Sequence, residues 1–108
     1  MTHVIVEPGV CGLVADVKVE TLDRYKVKID IDTKCKMIAK LVADLGESVD
    51  AFALLGMSRG AEAPLLDLGR RGTRIHAACP VMAGIAKAVE AECQLALPRD
   101  AHIRFVQD

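Results

Sequence analysis

The stretch LVADVKVETLDRYKVKIDID, residues 13–32, is written in period two. Leu13, Ala15, Val17 and Val19 fall on one side of an extended chain, and Asp16, Lys18 and Glu20 fall on the other. After Leu22 and Asp23 the alternation resumes, with Tyr25, Val27, Ile29 and Ile31 set against Lys26, Lys28, Asp30 and Asp32. Successive side chains of a strand point to opposite faces, so each half predicts a strand with one apolar and one polar face. Two such strands with a reversal between them predict an antiparallel hairpin whose second face stays wet.

Working outward from the hairpin, residues 3–7 form a short apolar run stopped by Pro8 and Gly9, which predicts a first strand. Beyond Asp32 the period changes. Met37, Ile38, Leu41, Val42 and Leu45 recur at helical spacing, Thr33 is a candidate cap and Gly46 suits the position just past a helix end. A shorter helix is expected over residues 48–55, capped by Ser48 and burying Val49, Phe52 and Leu55. From Gly56 to Thr73 five residues, Gly56, Gly60, Pro64, Gly69 and Gly72, break every pattern, and this segment reads as a long connection. Pro80 reopens order as a first helical residue, with Cys79 before it in the cap position. Met82, Ile85, Ala86, Val89 and Cys93 then trace an apolar stripe, with Lys87, Glu90 and Glu92 away from it. Residues 101–106 alternate around Ile103 and are expected to close the sheet as a last strand. The fold class is therefore α+β: an antiparallel sheet of three to four strands packed on one face by two to three helices, in a single domain over residues 1–108.

Composition narrows the function. Acidic and basic residues are interspersed to a formal charge of −1, and aromatic residues make up 3%, which supplies neither a phosphate-tracking surface nor a base-stacking platform. Nucleic acid is not an expected partner. No apolar run approaches the ~20 residues of a membrane span, and the first residues lack the basic and apolar regions of a secretion signal. The expected location is the cytoplasm, where thiols stay reduced. At this length the chain buries enough surface to fold without disulfides, so its four cysteines are available for other work.

Three of those cysteines stand at the ends of predicted elements: Cys11 after a Pro-Gly turn, Cys35 where strand gives way to helix, and Cys79 at the start of another helix. The unpaired N–H groups of a helix's first turn favour a thiolate. Cys93 lies late in a helix and reads as an ordinary buried residue. No CxxC spacing exists, so any site must be assembled by the fold. Three thiolates from Cys11, Cys35 and Cys79, with His76 as a fourth donor, would make a tetrahedral set for zinc or an iron–sulfur cluster, since soft sulfur selects such metals. Asp16 and Asp32 read as solvated carboxylates, and His3 and His102 as strand residues without a role.

The order of these elements resembles the iron–sulfur cluster assembly scaffolds of the IscU type, including the N-terminal domain of NifU. The likeness lies in Cys11-Gly12 before the hairpin, Cys35 after it at a helix start, and His76 with Cys79 before a late helix in the segment HAACPVMAGIAKAVE. It implies an IscU-like fold and a thiolate pocket. Leu13 stands where the scaffolds have an aspartate, Lys36-Met37 follow Cys35 in place of Gly-Ser, and two alanines separate His76 from Cys79. The chain also looks like short uncharacterised bacterial and archaeal proteins that share the Pro-Gly-x-Cys-Gly start and the Ala-Cys-Pro helix start.

Two alternatives stand beside the metal reading. In one, Cys79 is a nucleophile activated at its helix N-terminus and Cys11 or Cys35 resolves it as a disulfide. In the other, the cysteines are inert and the chain is a small structural or interaction protein, a homodimer or the companion of a partner protein. Enzymatic hydrolysis has no support, because Ser48 and Ser58 are the only serines and neither lies in a Gly-x-Ser-x-Gly setting. Arg59, Arg70, Arg71 and Arg74 crowd the glycine-rich connection. Arg74, nearest the Cys79 helix, is the candidate anion-binding residue.

Overall fold

The computed structural model describes residues 1–56, 65, 75–76 and 78–107. The expected connection over 56–73, and with it Arg59, Arg70, Arg71 and Arg74, lies almost wholly outside them. Four strands, β1 (Thr2–Val6), β2 (Ala15–Asp23), β3 (Lys26–Thr33) and β4 (Val49–Asp50), form one antiparallel sheet in the order β1-β2-β3-β4. Among the described residues three helices accompany them: α1 (Lys36–Leu45), α2 (Ala51–Leu54) and α3 (Pro80–Glu92).

The period-two stretch folds as written. Ala15, Val17, Val19, Val27 and Ile29 are buried on one face, where α1 and α3 cover them with Ile38, Leu41, Val42, Val81, Met82, Ile85 and Val89. Burying a side chain such as Ile38 or Ile85 is worth about 2 kcal/mol, so this one-sided core is what holds the helices down. The other face is polar and open, with Lys18 opposite Asp30 and Glu20 opposite Lys28. Opposite charges across a ladder contribute a few tenths of a kcal/mol each, whereas Asp16 directly opposite Asp32 opposes it.

The reversal departs from the simple pattern. Arg24 and Tyr25 make the turn, Arg24 adopts φ 51°, and the register shifts between Thr21 and Asp23. Alternation does not apply inside a turn, so Tyr25 is exposed where parity placed it inward. Its ring packs on Phe52 instead, with centroids 4.4 Å apart.

Three further expectations are corrected. The helix over 48–55 is a two-residue strand followed by one turn: Val49 and Asp50 pair with Val27 and Lys26, the Ala51 N–H donates to the Tyr25 carbonyl, and Asp50, not Ser48, caps by accepting from the Phe52 N–H at 2.9 Å. The residues this turn buries are Ala51 and Leu54. Thr33 does not cap α1; it accepts the Cys35 N–H at 3.2 Å, and Cys35 itself is the cap residue. Residues 101–107 are in no strand, and Ile103, Phe105 and Val106 are exposed.

Glycine matters most at Gly84, in the middle of α3. A Cβ there would overlap the Cγ2 of Val6 and touch Val4 Cγ1 at 3.9 Å, so the missing side chain is what lets α3 lie against β1.

Candidate functional site

Strand register decides where the cysteines go. Val6 pairs with Ala15 and Ala15 with Thr33, so the turn carrying Cys11 and the junction carrying Cys35 leave the sheet at the same end. Helix α3 runs the length of the sheet, about 20 Å for its 13 residues. Gly84, one turn in, lies on Val6, while Glu92 at its far end reaches Thr2 and Thr21. The α3 N-terminus with Cys79 therefore overhangs the end of the sheet that holds Cys11 and Cys35.

Local chemistry differs among the three. Cys11 is exposed in a turn closed by the Gly12 N–H donating to the Gly9 carbonyl at 3.0 Å, and both glycines have positive φ, 94° for Gly9 and 68° for Gly12. Cys35 and Cys79 are half-buried N-cap residues of α1 and α3, and neither side chain makes a capping hydrogen bond. Neither cap side chain thus satisfies a first-turn N–H group of its helix, and the positive end of each helix dipole lies next to a thiol. The Cys79 N–H donates to the His76 carbonyl at 3.0 Å, which holds exposed His76 one tight turn away. All four cysteines are free thiols. Buried Cys93 behaves differently: burial, then the negative charges of Glu92 and Asp50, push its pKa up, so it stays a thiol.

Sharing an end is not the same as forming a shell. Among the described residues no three His, Cys, Asp or Glu side chains gather closely enough to hold a metal ion, and Cys11, Cys35, His76 and Cys79 are all described. The fold brings the expected ligands to one pole without closing them around a point. Arg74, the expected anion contact, is not among the described residues.

Sequence reasoning missed the opposite pole. Glu92, expected to face away, is 12% exposed, and its carboxylate accepts from the Thr2 hydroxyl at 2.8 Å, the Thr21 N–H at 2.9 Å and the Thr21 hydroxyl at 3.0 Å. The terminal ammonium of Met1 lies 3.6 Å away. Burial acts to raise the Glu92 pKa, but these hydrogen bonds and the nearby positive charge outweigh it and the net shift is downward. A groove lined by Thr21, Arg24, Tyr25, Glu92, Cys93 and Gln94 opens at this pole, away from Cys11, Cys35 and Cys79. On the open sheet face His3 Nε2 lies 2.5 Å from Asp16 Oδ1 across the β1–β2 diagonal, a pair that strand position alone did not suggest. Both features depend on the strand register, and no local pattern signals them: 90 residues separate Thr2 from Glu92.

The architecture is that of a small α+β protein, one antiparallel sheet with helices on one face and a thiol-bearing end. Residues 2–105 match the model of a family of unknown function (DUF6951), and the chain belongs to that family. No curated protein and no solved structure matches the chain, so the likeness to the IscU type rests on element and cysteine order. Among the described residues no helix is long and apolar enough to cross a membrane.

Proposed function

We propose that the chain binds a soft metal ion, as zinc or within an iron–sulfur cluster, at its thiol-bearing pole. Cys35 and Cys79 are the framework ligands and Cys11 is the ligand carried by the exposed turn. The observation that carries this reading is the convergence of three free cysteines, distant in sequence, on one end of the sheet, two of them at helix N-termini without a side-chain cap. Sulfur donors select zinc, copper(I) or iron–sulfur clusters over magnesium or calcium. The described side chains are not already gathered around a point, so on this reading they must close on the ion as it binds. The cysteine order shared with IscU-type scaffolds supports the same reading, and His76 is the added donor.

The test is metal content and metal titration of protein purified without oxygen or chelator. The expected result is about one equivalent of metal, with a thiolate charge-transfer band on titration with cobalt(II), since tetrahedral thiolate sites accept it in place of zinc. Cys35→Ser and Cys79→Ser should each abolish the band, and Cys93→Ser should leave it. Absence of metal and of the band, or a band that survives loss of Cys35 and Cys79, overturns the proposal. A disulfide forming between Cys79 and Cys11 or Cys35 under mild oxidation, with no metal bound, would assign thiol exchange in its place.

A further inference from the structure

Among the described residues, four large apolar side chains lie exposed between positions 97 and 106. Leu97 is 70% exposed, Ile103 87%, Phe105 103% and Val106 83%. The family match includes this segment as far as Phe105, so the run belongs to the family's shared domain and is no mere appendage. The same match includes β1, which is an edge strand of the sheet among the described residues.

Edge and segment are complementary. Along β1, Val4 and Val6 face the helices while His3 and Ile5 face the open side. Residues 101–107 repeat that pattern, with Ala101, Ile103 and Phe105 on one side of an extended chain and His102, Arg104 and Val106 on the other. A strand laid beside β1 with Ile103 and Phe105 next to half-buried Val4 and Val6 would extend the apolar layer, and would bring Arg104 to the face that carries Glu7 and Asp16. Two of the usual guards of an edge strand are missing from β1, since no proline or bulge interrupts Thr2–Val6.

The segment's departure from the body favours a second molecule over its own. Pro98 holds Leu97 extended, the Arg99 N–H donates to the Leu97 carbonyl at 2.8 Å in a tight turn, and beyond it residues 101–107 are in no strand of their own copy and are exposed. We propose that residues 101–107 are a donated strand: in a two-fold dimer each copy lays this segment along the β1 edge of the other. Three large apolar side chains per copy, Ile103, Phe105 and Val106, each burying on the order of 100 Å² with an equal area on the receiving side, give about 1,200 Å² over the two reciprocal contacts, above the ~1,000 Å² a specific interface needs. Reciprocal exchange is the closed arrangement for such a contact. This inference is independent of the metal reading.

The experiment is the mass of the full chain in solution by light scattering, with amide hydrogen exchange on the same samples. The expected result is a dimer in which amides of residues 2–6 and 101–107 exchange about tenfold or more slowly than at dilutions that give monomer. The double variant Ile103→Asp/Phe105→Asp should be a monomer with an unchanged melting temperature at dilution, because neither side chain contributes to the core of one copy. A monomer at every concentration overturns the proposal. So does a dimer that the double variant leaves intact, a dimer whose β1 amides stay unprotected, or a monomer whose own 101–107 segment is protected.

Discussion

Replacing Gly84 by Ala tests how α3 is seated on the sheet. Mid-helix, alanine is better than glycine by about 1 kcal/mol, so an unobstructed site would gain stability. Here the added Cβ overlaps Val6 Cγ2, with Val6 Cβ at 3.6 Å and Val4 Cγ1 at 3.9 Å. Valine is branched at Cβ and stiff at χ1, so the methyl cannot swing away cheaply. Overpacking of this kind costs about 1–3 kcal/mol. The net expectation for Gly84→Ala is a loss of about 1 kcal/mol, read as a melting temperature lower by about 4–8 °C. Val6→Ala removes the obstructing methyl, and in that background Gly84→Ala should stabilise, reversing its sign. Urea melts of the four proteins close the cycle, with a coupling of about 2 kcal/mol between the two sites. If Gly84→Ala raises stability in the parent chain, or lowers it equally with Val6→Ala present, the close approach of α3 to β1 is wrong.

Two other outcomes follow from the far pole and the thiols. The pKa of Glu92 is lowered in the folded chain, so its contribution is fully present above the ordinary carboxylate range and disappears as pH falls through the folded value; stability should decline on acidification below about pH 5. Glu92→Gln, which weakens the bonds from Thr2 and Thr21, should cost about 1 kcal/mol at neutral pH and flatten that acid limb, measured by urea melts across pH; an acid limb unchanged in the variant would remove Glu92 as its source. Native alkylation followed by mass spectrometry should modify exposed Cys11 first and Cys93 last, since Cys93 is buried and its thiol is held protonated, and urea should erase the order. Early modification of Cys93 would mean that the C-terminal turn of α3 is not packed as described.

Where the chain carries its own periodicity, structure and sequence agree. The hairpin is legible because every second residue from Ala15 to Val19 and from Val27 to Ile31 is apolar, and burial on one face follows from that alone. Helices α1 and α3 are legible for the same reason at another period, and Pro80 marks Cys79 as a cap, whereas the α1 cap expected at Thr33 falls to Cys35. The failures share a cause, dependence on a partner distant in sequence. Val49 and Asp50 become a strand only because Lys26 and Val27 are there to receive them. The alternation of residues 101–106 is real, yet no described strand of the same copy meets it. Glu92 turns inward because Thr2 and Thr21 wait at the end of α3, which no helical wheel reveals. That the three cysteines share a pole follows from register, and spacing along the chain carries no trace of it.

The clamp that Glu92 places on Thr2 has a consequence for how the protein is made. A ribosome releases β1 well before α3, so the strand leaves the exit tunnel long before the carboxylate and the helix face that fix it. The β2–β3 hairpin and α1 are built from neighbours and are complete early. Pairing with β2 can form early, but the faces of Thr2, Val4 and Val6 that α3 covers stay open until that helix has been translated, and for that interval the nascent protein exposes an apolar sheet face to whatever stands near the ribosome.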